Sequence, residues 1–264
     1  MNKVSDVLSY ITEIAPLHWQ ENYDNSGLLI GDANALVDKA LLTLDVTEKV
    51  IDEAIDNSCH LVISHHPLIF KGLKNILNDN TIGRIITKAI KNDISVAAMH
   101  TNLDNSYLGV NRVLAENLGL KDLQILHPNN SGEDVAVGSG MIGVLENEMS
   151  ENEFLSLVKE KLSVPAIRHS ELLDRPIKKV ALCGGAGSFL INDAKRCKAD
   201  VYLTADVKYH DFFDADNEIL IIDAGHFETE QFTKQLFADI ILKKNPKFAV
   251  QISSVKTNSV HYFV

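Results

Sequence analysis

Apolar residues along this chain fall into two kinds of run. The first kind is short and continuous. Ala40–Val46, Leu61–Ser64, Ile94–Met99, Val201–Leu203 and Ile219–Ile222 each have the length and composition of a strand covered on both faces. The second kind is spaced three or four apart. Val7, Leu8, Ile11 and Ile14 form such a stripe, as do Val50, Ile51, Ala54 and Ile55, and Phe154, Leu155, Val158 and Leu162. That spacing predicts helices with one buried face. Pro16 ends the first, while Thr47 and Ser150 stand where N-caps belong for the other two. Further helices are predicted over 81–91, near 110–118, over 188–197 and from about 226 to 242. The strands and helices alternate, so the predicted class is α/β, with mostly parallel, helix-covered sheets. Leu28–Ile30, Val135–Leu145, Ala166–His169, Lys179–Leu182 and a closing Phe248–Val255 read as additional strands, and His127–Gly132 reads as a loop.

Polar, chemically specific residues stand at the ends of the buried strands. Leu61-Val-Ile-Ser runs into His65-His66-Pro67. Neighbouring residues on a strand point to opposite faces. Two adjacent histidines therefore serve one place only where the backbone turns, and Pro67 favours that turn. Ile94–Met99 runs into His100, with Asp104 four positions on; Ile219–Ile222 leads to His226, with Glu230 four positions on. Residues i and i+4 share a helical face, which is how one helix offers two ligands to one metal. The chain also echoes itself. Strand and helix lead first to His65-His66 and then to His100/Asp104. Later they lead to Asp206, with His210 just beyond, and then to His226/Glu230. Such repetition suggests duplicated halves whose strand ends face one cleft.

His65, His66, His100, Asp104, His226 and Glu230 make four imidazoles and two carboxylates. Six ligands exceed one tetrahedral site and suit two divalent ions with open positions, about 3.5–4 Å apart. Imidazole and carboxylate together suit zinc, iron, manganese, cobalt or nickel, with no choice among them. Two ions would lower the pKa of a shared water towards neutrality, and the natural chemistry is hydrolysis at carbon or phosphorus. Asp45, at a strand end, would either orient a histidine or cap the next helix. Asp24 and Asn25 fit a local turn or the rim of a site. Gly184-Gly-Ala-Gly-Ser188 reads as an anion cradle or as a tight strand-to-helix turn. His210 is the candidate acid/base.

Composition narrows the function classes. The net charge of -11 over 264 residues excludes a broad basic surface for nucleic acid and disfavours anionic membranes. A small-molecule substrate remains open. Cys59, Cys183 and Cys197 are an odd set without CxxC spacing, read as reduced thiols of a cytoplasmic protein. The N-terminus lacks the apolar core of a signal peptide, and no run reaches the roughly 18 apolar residues of a membrane span.

Asp24-Asn-Ser-Gly-Leu-Leu-Ile-Gly31, Ser64-His-His-Pro67, His100-Thr-Asn-Leu-Asp104 and Gly225-His-Phe-Glu-Thr-Glu230 together resemble the Nif-three-like dinuclear metal centre family. Its members are labelled GTP cyclohydrolase I type 2 homologs. The resemblance spans nearly the whole chain. It implies a dimetal site on the same six residues and two intertwined, related three-layer α/β/α halves with a metal cleft between them. It also implies a ring-shaped homohexamer. The expected halves are 1–125 plus 226–264, and 126–225. The expected activity is metal-dependent hydrolysis of a nucleotide-like or phosphoester substrate. The rival expectation is a non-enzymatic metal-binding or regulatory scaffold.

Overall fold

A computed structural model describes residues 1–129 and 137–263. The start of the strand expected from Val135, and the end of the loop expected through Gly132, lie outside those residues. The chain is mixed α/β and divides into two compact units. One comprises Met1–Leu103 and Thr233–Ser259, the other Asp104–Phe232 and Val260–Val264.

The first unit is built on a five-stranded sheet. Its strands are ordered Ala249–Ile252, Lys39–Thr43, Leu61–Ser64, Ser95–Ala98 and Gly27–Ile30, and only the last runs antiparallel to its neighbour. The register aligns Leu41, Val62 and Val96 in one row across the sheet. Side chains alternate faces along a strand, so that row points one way. It packs under Val50, Ile51 and Ala54 of helix Glu48–Asp56 and Ile85, Ile86 and Ala89 of helix Thr81–Lys91. Helix Thr233–Lys244 lies against the sheet and against helix Val4–Thr12. Leu61–Ser64 and Ser95–Ala98 are buried along their whole length, and Lys39–Thr43 from Ala40 on, which is why they read as unbroken apolar runs.

The second unit holds a six-stranded sheet in the order Lys121–Pro128, Gly138–Met149, Ile177–Ala186, Val201–Ala205, Leu220–Asp223 and Arg168–His169. The three strands Ile177–Ala186, Val201–Ala205 and Leu220–Asp223 are parallel to one another. Each face of this sheet carries its own core. Leu182, Leu203 and Ile222 join Phe154, Val158 and Leu162 on one side, while Ala181, Tyr202 and Ile221 join Leu190, Ile191 and Ala194 on the other. Among the described residues no helix is long and apolar enough to cross a membrane. The three cysteines are free, with Cys59 and Cys183 buried.

Candidate metal centre

In each unit the chemistry-bearing residues emerge at the carboxyl ends of the parallel strands, where backbone leaves the sheet and side chains turn inward on a rigid support. In the first unit the turn after Leu61–Ser64 is tied at both ends. His65 N–H donates to Thr43 O and His66 N–H to Leu44 O, while Ser64 Oγ donates to the His66 carbonyl at 2.8 Å. The neighbouring strand ends at Met99, whose N–H bonds Ser64 O, and delivers His100. The three rings converge. Their centroids lie 4.9 Å apart for His65–His66, 5.2 Å for His65–His100 and 5.4 Å for His66–His100. One ring nitrogen from each lies within 4.8 Å of the others.

Each of these rings is held through the same atom. His65 Nδ1 bonds the Met99 carbonyl at 2.9 Å. His66 Nδ1 bonds Asp45 Oδ1 at 2.7 Å, and His100 Nδ1 bonds Asp24 Oδ1 at 2.8 Å. A carbonyl or carboxylate oxygen can only accept, so each Nδ1 carries the hydrogen and each Nε2 presents a lone pair. Asp45 therefore orients a histidine, and the helix cap falls to Thr47, whose hydroxyl accepts from Val50 N–H. Asp24 likewise belongs to the site rather than to a merely local turn. Its carboxylate is closed off from solvent and also accepts from Ser26 Oγ at 3.0 Å, Thr101 N–H at 3.0 Å and Thr101 Oγ1 at 2.5 Å. Burial opposes its charge, but the bonds from His100 and Thr101 outweigh burial and hold its pKa well below the usual carboxylate range. The sequence signal for this was present: an acid two residues before Ser26-Gly27, just ahead of a strand paired with the one that delivers His100.

The second unit gathers a mixed group of candidate ligands. Asp104 closes the one-turn helix Thr101–Asp104 that begins directly after His100. His226 and Glu230 open and close helix His226–Glu230, one turn apart, with His226 Nε2 3.0 Å from Glu230 Oε2. Carboxylate oxygens of Asp104 and Glu230 lie within 4.8 Å of each other. The pattern at Nδ1 recurs, since His226 Nδ1 bonds Asp206 Oδ2 at 2.7 Å. Burial works against a charge on His226, yet the bonds to Asp206 and Glu230, and their charges, push its pKa up to about 11. The raised pKa favours a protonated His226 paired with the Glu230 carboxylate. Asp206 is correspondingly more acidic than usual, chiefly through its bond to His226.

Gly185 sets how closely strand Ile177–Ala186 approaches this pair. Its φ is +61°, and a Cβ there would fall 2.2 Å from Glu230 Oε1 and 3.2 Å from His226 Nε2. The first two amides of the glycine stretch are not open to an anion. Gly184 N–H is committed to Asn111 Oδ1 and Gly185 N–H to Thr229 Oγ1, while Gly184 and Gly185 extend the strand itself. Cys183 beside it is pushed up by burial and by the charges of Asp104 and Glu230, so it stays a thiol. His210 lies exposed on the 3-10 segment Tyr209–Ala215, its ring 5.2 Å from Tyr209 and 6.2 Å from Phe213.

Imidazole rings oriented through Nδ1, together with two carboxylates, fit borderline divalent transition metals, for which nitrogen and oxygen donors are the usual partners. Sequence and fold comparisons identify the family. Residues 2–259 match the family described as Duf34/NIF3 (NGG1p interacting factor 3). The chain is 38% identical over 229 residues to a Clostridium perfringens protein named GTP cyclohydrolase 1 type 2 homolog, covering 86% of this chain and 87% of that one. It is 35% identical to the Campylobacter jejuni protein of the same name, over 99% of this chain and 100% of the relative. The crystal structure of a Bacillus cereus protein related to NIF3 superposes with a TM-score of 0.93 at 29% identity, covering 100% of this chain and 99% of that one. The chain belongs to the Duf34/NIF3 family.

Proposed function

We propose that this protein is a dinuclear-metal-dependent hydrolase. In this reading His65, His66, His100, Asp104, His226 and Glu230 hold two divalent ions, and the substrate is nucleotide-like or a phosphoester. One observation carries the metal half of the reading: each of the four histidines has its Nδ1 engaged by an oxygen acceptor, which orients the ring. Ligating histidines have this support, because it sets the tautomer and raises ligand basicity. The substrate half draws on the name shared by the Clostridium and Campylobacter relatives, GTP cyclohydrolase 1 type 2 homolog.

When bound, two such ions supply Lewis acidity and bring the pKa of a shared water towards neutrality. The chain's own residues prepare for that. Asp45, Asp24 and Asp206 keep the ring protons at Nδ1. Asp104 and Glu230 offset cationic charge. His210, exposed beside Tyr209 and Phe213, is the candidate for moving a proton to or from substrate. The working assembly in this reading is a homohexamer, tested by sedimentation at six times the 29.2 kDa chain mass.

The test joins binding to turnover. Protein purified without chelators is analysed for metal, and the same preparation is assayed for formate release from GTP and for phosphoester hydrolysis. Two ions per chain, lost in the His65→Ala/His226→Ala double variant, and metal-dependent turnover support the reading. Two ions per chain retained by the double variant refute the ligand set. Full metallation without turnover of either substrate class moves the protein to the rival reading, a metal-binding or regulatory scaffold.

A further inference from the structure

Asp45 differs from Asp24 in what holds it. Asp24 is enclosed by donors from its own turn and from the strand end it serves. Asp45 is one-third exposed, and its brace arrives from the far end of the chain. Thr257 Oγ1 donates to Asp45 Oδ2 at 2.5 Å, while Asp45 Oδ1 receives His66 Nδ1 at 2.7 Å. With each oxygen bonded to a different donor, the carboxylate cannot swing about its Cβ–Cγ bond without breaking one of them.

Thr257 is in turn held by the segment that carries it. After strand Ala249–Ile252 pairs along Lys39–Thr43, Ser253 N–H continues the ladder to Leu42 O at 2.8 Å. The next residues cross helix Glu48–Asp56, and Glu53 on that helix clamps them. Its carboxylate accepts Ser253 Oγ at 2.5 Å, Ser254 N–H at 2.9 Å and Ser254 Oγ at 2.7 Å. Val255 packs against the apolar cluster that includes Val46, Val50 and Val62. Such a set of bonds is costly for a tail with no other role, because every ordered residue loses conformational entropy. Its far end leads to the residue that orients His66.

We infer that Ser253–Thr257 is a strap that positions His66 through Asp45, with Thr257 as the positioning residue and Glu53 as its anchor. The inference rests on the metal-binding reading for its purpose, but its geometry can be tested without metal. Substitution beside a ligating histidine lowers metal affinity by roughly 10–100-fold. Thr257 acts one bond further out, so the lower end of that range applies.

The experiment uses the full chain and three variants: Thr257→Val, which keeps the shape and removes the hydroxyl; Thr257→Ser, which restores it; and Glu53→Gln, which weakens the anchor. Co2+ binding is followed by visible absorption, and the His66 ring nitrogens of metal-free protein by 15N spectroscopy. Thr257→Val is expected to bind Co2+ about tenfold more weakly, with its His66 Nδ1–H signal broadened. Thr257→Ser should restore both, and Glu53→Gln should shift both in the direction of Thr257→Val. A Thr257→Val protein with wild-type affinity and wild-type His66 signals overturns the strap. If Thr257→Val fails to fold, Glu53→Gln decides by the same two readouts. Wild-type protein that takes up no Co2+ sinks the metal reading instead. In that event a His66 signal shifted in Thr257→Val and restored in Thr257→Ser upholds the strap, and an unchanged signal removes it.

Discussion

Replacing Asp206 with Asn separates the two things its carboxylate does to His226. Asp206 sits at φ +54°, in the left-handed region. Asn tolerates that region better than other side chains with a Cβ, whereas Ala there would add roughly 1–2 kcal/mol of backbone strain. The substitution therefore removes charge with little change of shape. In the wild-type protein the His226 proton is held with a pKa of about 11, because the bonds and charges of Asp206 and Glu230 outweigh its burial. A cation entering at pH 8 must displace that proton. Binding thus releases one proton per chain from this residue, and apparent affinity rises about tenfold per pH unit while pH stays below the pKa. Without the Asp206 charge the His226 pKa falls, and less of the ring is protonated at pH 8. The Nε2 lone pair is also less basic and the ring less firmly held, at a cost of roughly 10–100-fold in affinity, or about 1.4–2.7 kcal/mol.

Titration calorimetry at pH 8 in two buffers of different ionisation heat measures both quantities together. Wild-type protein is expected to release more protons per chain than Asp206→Asn, and to bind more tightly. The affinity gap should widen as pH rises, because the wild type gains affinity with each unit and the variant gains less. Equal proton release together with affinities within twofold of each other would refute the argument, since neither the proton nor the orientation of His226 would then depend on Asp206.

The same geometry sets three other outcomes. In metal-free protein the raised His226 pKa contributes stability that is fully present below about pH 6.5 and is lost as pH rises through about 11; urea denaturation should show wild type losing its margin over Asp206→Asn between pH 7 and 10. Asp24 shows the opposite sign, because its lowered pKa contributes stability above about pH 3.9 that disappears on further acidification. Asp24→Asn should cost roughly 1–3 kcal/mol at pH 7, from a buried acceptor that no longer satisfies its donors, and should flatten the acid limb of the stability curve. Gly185→Ala drives a methyl into Glu230 and should abolish binding of at least one ion per chain by elemental analysis; an unchanged metal content would show that Glu230 has room to move.

The sequence announced the strands, because buried parallel strands must be apolar on both faces and so stand out as continuous runs. It announced the helix starts at Thr47 and Ser150 because capping chemistry is local, and the structure gives both hydroxyls the expected bonds. His65, His66 and His100 were legible because each directly follows such a run, and the structure brings their rings together. Asp24 and Asp45 were left between two readings, since a carboxylate before a turn looks the same whether it caps the turn or reaches across the sheet. Only the pairing of Gly27–Ile30 with Ser95–Ala98 puts Asp24 beside His100. The glycine stretch was left between an anion cradle and a tight turn, because a sequence does not show that Asn111 and Thr229 claim the Gly184 and Gly185 N–H groups. Thr257 gave no signal at all, for its partner lies 212 residues away.

That separation has a consequence for how the protein is made. Residues 1–103 contain His65, His66 and His100, and they leave the ribosome early. The strand Ala249–Ile252 that closes one edge of their sheet, and the hydroxyl that bonds Asp45, come much later. Over the 212 residues from Asp45 to Thr257, at about 5–20 residues per second, the wait is roughly 10–40 s. Throughout that interval the nascent chain exposes the unpaired edge of Lys39–Thr43, and Asp45 lacks its distal bond. A chain cut short after residue 252 would keep His65, His66, His100 and His226 and lack the hydroxyl that bonds Asp45, so the full set of bonds behind His66 marks a chain that has been synthesised past Thr257.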